Sequence, residues 1–165
     1  MQIYVLFGLP GAGKTFVGKI FEESFGFSFY EGDADLTEEM KEAIVTKTPF
    51  TDEMRDIFFH NLIHNVKNKY KEKKKIVIAQ TFIKEKYRIM LLEAIPEAKF
   101  LFIHADDAIR EKRLMERVAY PLDLEYSRIM VHNFEKPTIK HRVIGNNENG
   151  SGAVKEEIKI LLYNY

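Results

Sequence analysis

Gly8-Leu9-Pro10-Gly11-Ala12-Gly13-Lys14-Thr15 is the stretch whose reading decides the fold. Before it stands Gln2-Ile3-Tyr4-Val5-Leu6-Phe7, an apolar, β-branched and aromatic run that predicts a buried strand. After it, Phe16, Val17, Ile20, Phe21 and Phe25 recur at helical spacing. The pattern G-x-x-x-x-G-K-T between a strand and a helix reads as a phosphate-binding loop. Its glycines reach backbone angles that a Cβ forbids, so the loop can turn several N–H groups inward as an anion nest. The helix that follows adds its own N-terminal N–H groups and the positive end of its dipole. The expected nucleotide-binding set is therefore Gly8, Gly11, Ala12, Gly13, Lys14 and Thr15. Lys14 is expected to bridge the β- and γ-phosphates, and the Thr15 hydroxyl to ligate Mg²⁺.

Outward from the loop, strand-like and helix-like segments alternate, which predicts a parallel sheet with helices on both faces. Phe27-Ser28-Phe29-Tyr30 is a second strand, with Glu31-Gly32-Asp33-Ala34-Asp35 at its C-terminal end. Ligands bind along that edge in open α/β sheets. Thr37 can cap a helix running to about Val45, and Thr51 a longer one with Met54, Ile57, Phe58, Leu62, Val66 and Tyr70 as its apolar stripe. The basic run Lys71-Glu72-Lys73-Lys74-Lys75 reads as the solvated end of that helix. Ile76 to Ala79 and Lys99 to His104 are strands, separated by a helix from about Lys84 to Ile95. Asp106 or Asp107 can cap a helix that includes Arg110, Arg113 and Arg117. Tyr120-Pro121-Leu122 interrupts it, and Asp123 can cap another through about Phe134. Arg142-Val143-Ile144 is the last strand, and Val154, Ile158, Leu161 and Leu162 mark a final amphipathic helix.

The chain has 165 residues, enough for one domain with a real core. Its formal net charge is zero, which gives no global field to draw nucleic acid or an acidic membrane. There are no cysteines, so disulfides, thiolate nucleophiles and thiolate metal sites are excluded. No apolar run approaches membrane-spanning length, and the first strand begins without a leader-like segment. A cytoplasmic location is expected.

Beyond the loop, Asp33 and Asp35 face the phosphate site and are candidates to hold the Mg²⁺ shell or accept a proton from a substrate hydroxyl. Arg110, Arg113 and Arg117, at spacings of three and four before a proline-containing break, suit either a lid that closes over the transferring phosphoryl group or a solvated, salt-bridged face. Arg110 on the same face reads instead as part of a salt-bridged surface with its acidic neighbours. His60 and His64 are four apart on a helix but lack the following glutamate of a metal motif.

Taken together, the residues resemble the small P-loop kinases of the gluconate kinase and shikimate kinase group, closest to the gluconate kinase branch. Glu31-Gly32-Asp33 and Thr48 to Arg55 are similar to that branch's D-G-D and G-x-P-L-x-D-x-D-R segments. Lys84-Glu85-Lys86-Tyr87-Arg88 is similar to its K-x-x-Y-R, and Arg113-Leu114-Met115-Glu116-Arg117 to its R-L-x-x-R. The chain departs from the branch at Leu36-Thr37, where a His-Pro is usual, and at Met40, where an asparagine stands. The resemblance implies a doubly wound five-stranded parallel sheet in the order 2-3-1-4-5, one kinase domain over residues 1–165, and a helical lid at about 117–125. It implies ATP and Mg²⁺ as cofactors, a small-molecule acceptor such as a sugar acid, and a homodimer. By the same resemblance Lys14, Asp33 and Arg117 are catalytic, with Asp33 near the metal. Asp33, Asp35, Arg55, Lys84 and Arg88 face the acceptor. Arg113 stacks on adenine, with Asn146 beside the base. The alternatives are a shikimate, nucleotide or nucleic-acid-end kinase, or a regulatory nucleotide-binding module without acceptor chemistry.

Overall fold

The computed structural model describes residues 1–117, 124–148 and 150–164. Five strands, β1 (Gln2–Phe7), β2 (Ser28–Glu31), β3 (Lys75–Ala79), β4 (Lys99–His104) and β5 (His141–Gly145), form one sheet in the order β2-β3-β1-β4-β5. Every pairing is parallel. The register sets Leu6 beside Ala79 and Phe7 beside Phe102, so the strands end together and share one C-terminal edge. The parallel direction is that expected from the alternation of segments, and the order is that implied by the resemblance.

The helices are α1 (Lys14–Phe25), α2 (Glu38–Val45), α3 (Asp52–Glu72), α4 (Glu85–Ala94), α5 (Asp107–Met115), α6 (Leu124–Asn133) and α7 (Gly152–Tyr163). Alternation along β1 divides the core. Ile3, Val5 and Phe7 pack on one face with α3, α4 and α6 residues such as Phe59, Leu62, Leu91 and Tyr126. Tyr4 and Leu6 pack on the other with Val17, Ile20 and Phe21 of α1 and Val154, Ile158 and Leu161 of α7. Both faces are thus covered, as a parallel sheet requires. Thr37 and Thr51 accept from the N–H groups of Met40 and Met54, each at 3.2 Å, and start α2 and α3. Lys71 to Lys75, from the last residues of α3 to the first of β3, are all exposed, in keeping with a solvated helix end.

Several boundaries differ from the sequence reading. A single 3₁₀ turn, Gly32–Asp35, follows β2. Asp106 precedes α5 without a side-chain cap, and α5 ends at Met115, leaving Arg117 beyond the helix. Phe16 and Ile57 face outward, while Phe59 and Ile63 take inward places on α3. The lid expected at about 117–125 and the capping role of Asp123 fall, apart from Arg117 and the start of α6, outside the described residues.

Candidate active site at the C-terminal edge of the sheet

The loop between β1 and α1 takes its shape from its glycines and from cations behind it. Gly11 and Gly13 have φ of +80° and +92°. A Cβ on Gly11 would lie 2.6 Å from the Arg110 carbonyl oxygen, and one on Gly13 would lie 2.2 Å from Asn146 Nδ2. Only glycine allows that backbone and that approach. The loop carbonyls point outward to donors: Arg110 Nη1 to Pro10 O at 3.2 Å, Arg113 Nη1 to Gly11 O at 3.3 Å, and Asn146 Nδ2 to Ala12 O at 2.8 Å. Lys14 Nζ folds back to Gly8 O at 2.9 Å and Leu9 O at 3.1 Å. Burial lowers the Lys14 ammonium to about 8; Arg117 and Arg110 add to the fall, while Asp33 and Glu31 oppose it. A buried cation short of counter-charge is suited to an anion that brings several.

A cavity of about 410 Å³ opens from this loop towards α2, α3 and α6. It gathers Lys14 and Thr15 from the loop, Asp33 from the turn after β2, Arg55 from α3, Lys84 before α4 and Arg117 after α5. Residues far apart in sequence meet there because each follows or faces the C-terminal end of a strand. Gln80, just past β3, donates from Nε2 to Asp33 Oδ1 at 3.2 Å and accepts the Thr81 N–H at 2.6 Å. Arg55 is tethered to Asp52 at 3.3 Å and Lys84 to Glu135 at 3.3 Å.

Glu31 was no candidate in the sequence, yet its Oε2 accepts from Thr15 Oγ1 at 2.6 Å and it lines the cavity. Burial pushes its carboxyl up, with Asp33 adding to the push and the Thr15 bond opposing it. Its place at the C-terminal end of β2, directly beside the strand that leads to the loop's neighbour, was the available signal. Thr15, Glu31 and Asp33 together offer hard oxygen donors, the set that suits Mg²⁺. Among the described residues no group of three or more His, Cys, Asp or Glu could cage a metal alone. Mg²⁺ usually takes one or two protein oxygens and completes its shell with water and phosphates.

Two expected acceptor residues are placed elsewhere. Asp35 does not line the cavity; it accepts from the Tyr30 hydroxyl and from Asn65 Nδ2 at 2.9 Å, because the 3₁₀ turn swings it towards α3. Arg88 is fully buried beneath the cavity floor. Its guanidinium donates to the carbonyls of Phe82, Ile83 and Glu135 and lies between the rings of Phe7 and Phe134, at 5.1 and 4.8 Å. Arg113 likewise spends its donors on the loop and on Asn146 O at 2.8 Å. Gly8, Ala12 and Asn146 stand behind the cavity, as part of the loop and its brace. Asn146 is buried, and its Oδ1 has no partner among the described residues. Arg110, read as a surface charge, is buried against the loop with Asp107 at 2.6 Å.

Comparison with known proteins agrees with this architecture. A probable gluconokinase of Xenopus tropicalis is 25% identical, the match covering 87% of this chain and 83% of that protein. The solved structure of a sugar kinase from Janibacter sp. HTCC2649 superposes with a TM-score of 0.84 at 20% identity, covering 98% of this chain and 94% of that one. A gluconokinase structure from Sinorhizobium meliloti 1021 gives 0.76 at 21% identity, covering 99% and 96%. At such identities the structural likeness speaks for the fold. The shikimate kinase family model matches residues 10–149, from the phosphate loop through all the strands after it. By that match the chain belongs to the shikimate kinase family of P-loop small-molecule kinases.

Proposed function

We propose that this chain transfers the γ-phosphoryl group of ATP to a hydroxyl of a small anionic acceptor of the sugar-acid type. The observation that carries the reading is the single cavity shared by the phosphate loop and by Asp33, Arg55, Lys84 and Arg117. The loop N–H groups and Lys14 would hold the β- and γ-phosphates, with Arg117 meeting the charge that develops on the transferring group. Thr15, with Glu31 and Asp33, would hold Mg²⁺, which would supply positive charge to offset that of the phosphates. Asp33, one edge of its carboxylate held by Gln80, would take the proton of the attacking hydroxyl. Arg55 and Lys84 would bind the acceptor's anionic group. Asn146, buried behind the loop and bonded to Ala12 O, would brace the loop on the side of the base. Catalysis is then chiefly positioning and charge stabilisation.

The gluconokinase relative supports the sugar-acid class, and zero net charge weighs against long nucleic acids. Among the described residues no helix is long and apolar enough to cross a membrane. A cytoplasmic homodimer is part of the same proposal, and light scattering checks the stoichiometry. The deciding experiment is ADP release from Mg²⁺-ATP across sugar acids, sugars, shikimate and nucleosides. Acceptor-dependent release that Asp33→Asn removes is expected. ATP binding without release for any acceptor would overturn the proposal in favour of a regulatory nucleotide-binding role.

A further inference from the structure

The two ends of the cavity differ in chemistry. The loop end presents Lys14, Thr15, Glu31, Asp33 and Arg117. The far end, beneath α2, α3 and α6, is formed by Leu36, Met40, Phe50, Phe58, Phe82 and Met130. Its aromatic wall is tightly built: Phe59 stacks on Tyr87 at 4.2 Å and 14°, and meets Phe82 at 5.0 Å and Phe58 at 4.9 Å. The cavity's Tyr126 hydroxyl lies in the field of Arg55, and two further polar groups are bonded within the protein. The Tyr87 hydroxyl donates to Asp56 Oδ1 at 2.7 Å, behind the wall, and both ends of the Gln80 amide are used. The charged side chains at this end are Arg55 and Lys84.

An open-chain polyhydroxy acid carries a hydroxyl on nearly every carbon. A hydroxyl set against Leu36, Met40, Phe50 and Phe58 leaves water for hydrocarbon without a new partner, which opposes binding. An apolar face in the same place gains from leaving water. Arg55 and Lys84 still call for a negative group. We infer that the acceptor is a hydroxy acid with an apolar half. Its reacting hydroxyl lies towards Asp33 and its anionic group towards Arg55 and Lys84. An unhydroxylated hydrocarbon or aromatic face fills the end lined by Leu36, Met40, Phe50 and Phe58. The inference rests on the proposal that this cavity binds the phosphoryl acceptor.

Two matched pairs of acceptors test it with the full chain and Mg²⁺-ATP, read by ADP release. They are gluconate against 3-deoxygluconate, and glycerate against 3-phenylglycerate. In each pair kcat/KM should be higher for the less hydroxylated or aryl member, by roughly tenfold or more. Parity or reversal in either pair overturns the inference and leaves the kinase reading standing. Absence of release with all four, while ATP still binds, overturns the assignment of the cavity to an acceptor and this inference with it. Leu36→Gln, a polar group of similar length at the cavity wall, should narrow the ratio at least threefold. An unchanged ratio in the folded variant would refute the apolar end as its source, and the matched pairs decide the matter without it should the variant not fold.

Discussion

Replacing Glu85 by glutamine should loosen the joint that carries Lys84. Glu85 opens α4, and its Oε1 accepts from Thr138 N at 2.7 Å, Thr138 Oγ1 at 2.6 Å and Ile139 N at 2.7 Å. Its Oε2 pairs with the buried Arg88 guanidinium. Across the same joint, Glu135 Oε2 accepts from Glu85 N at 2.8 Å. Burial by itself would push the Glu85 carboxyl up; the bonds from Thr138, Arg88 and Ile139 outweigh it and hold the group at about 2 against an ordinary 4.5. At 1.36 kcal/mol per pH unit, that difference corresponds to about 3 kcal/mol at neutral pH. Glutamine keeps the shape but turns an N–H group towards either Arg88 or the Thr138 donors. Glu85→Gln should therefore cost about 2–3 kcal/mol and lower the melting temperature by roughly 4–12 °C for a chain of this size. Because the folded value lies below the unfolded one, the contribution is present above pH 4.5 and is lost as pH falls from 4.5 towards 2. Urea unfolding of both proteins at pH 7 and pH 3 measures this. The gap should shrink at pH 3 to about half its value at pH 7. The acceptor KM should rise while that for ATP holds. A gap below about 1 kcal/mol at pH 7, or one as large at pH 3, would refute the reasoning.

Three further outcomes are expected. ATP affinity should fall as pH rises above about 8, because the buried Lys14 ammonium loses its proton there; Lys14→Met should bind ATP weakly with a flat profile, and a flat wild-type profile to pH 9.5 would count against the assignment. Gly11→Ala must shift the loop away from Arg110 and from a φ of +80°, so the KM for ATP should rise by about tenfold with the fold retained by circular dichroism. Gln80→Leu frees the Asp33 carboxylate and leaves the Thr81 N–H unpaired, so kcat should fall by up to roughly 100-fold with little change in the KM for ATP, and Gln80→Asn should recover part of it.

What the sequence determined by itself is the local and the periodic. The phosphate loop is legible because its glycines, lysine and threonine are contiguous and flanked by one strand and one helix. The alternation along β1 separates Val5 from Leu6 onto opposite faces and so requires helices on both. Thr37 and Thr51 announce their helices because a cap acts within three residues. Tertiary structure alone decided the partners of the charged side chains. Glu31 meets Thr15 across sixteen residues of chain because β2 and the loop end at one sheet edge. Asp35 and Asp33, two apart, part company because a 3₁₀ turn sends one to Asn65 and the other to Gln80. Arg88 turns inward because Phe7, Phe134 and three carbonyls make a slot for it, and no periodicity of its own helix encodes that slot. The physical reason is range: backbone preference and hydrophobic period are written residue by residue, whereas a buried charge goes wherever distant segments together supply its hydrogen bonds.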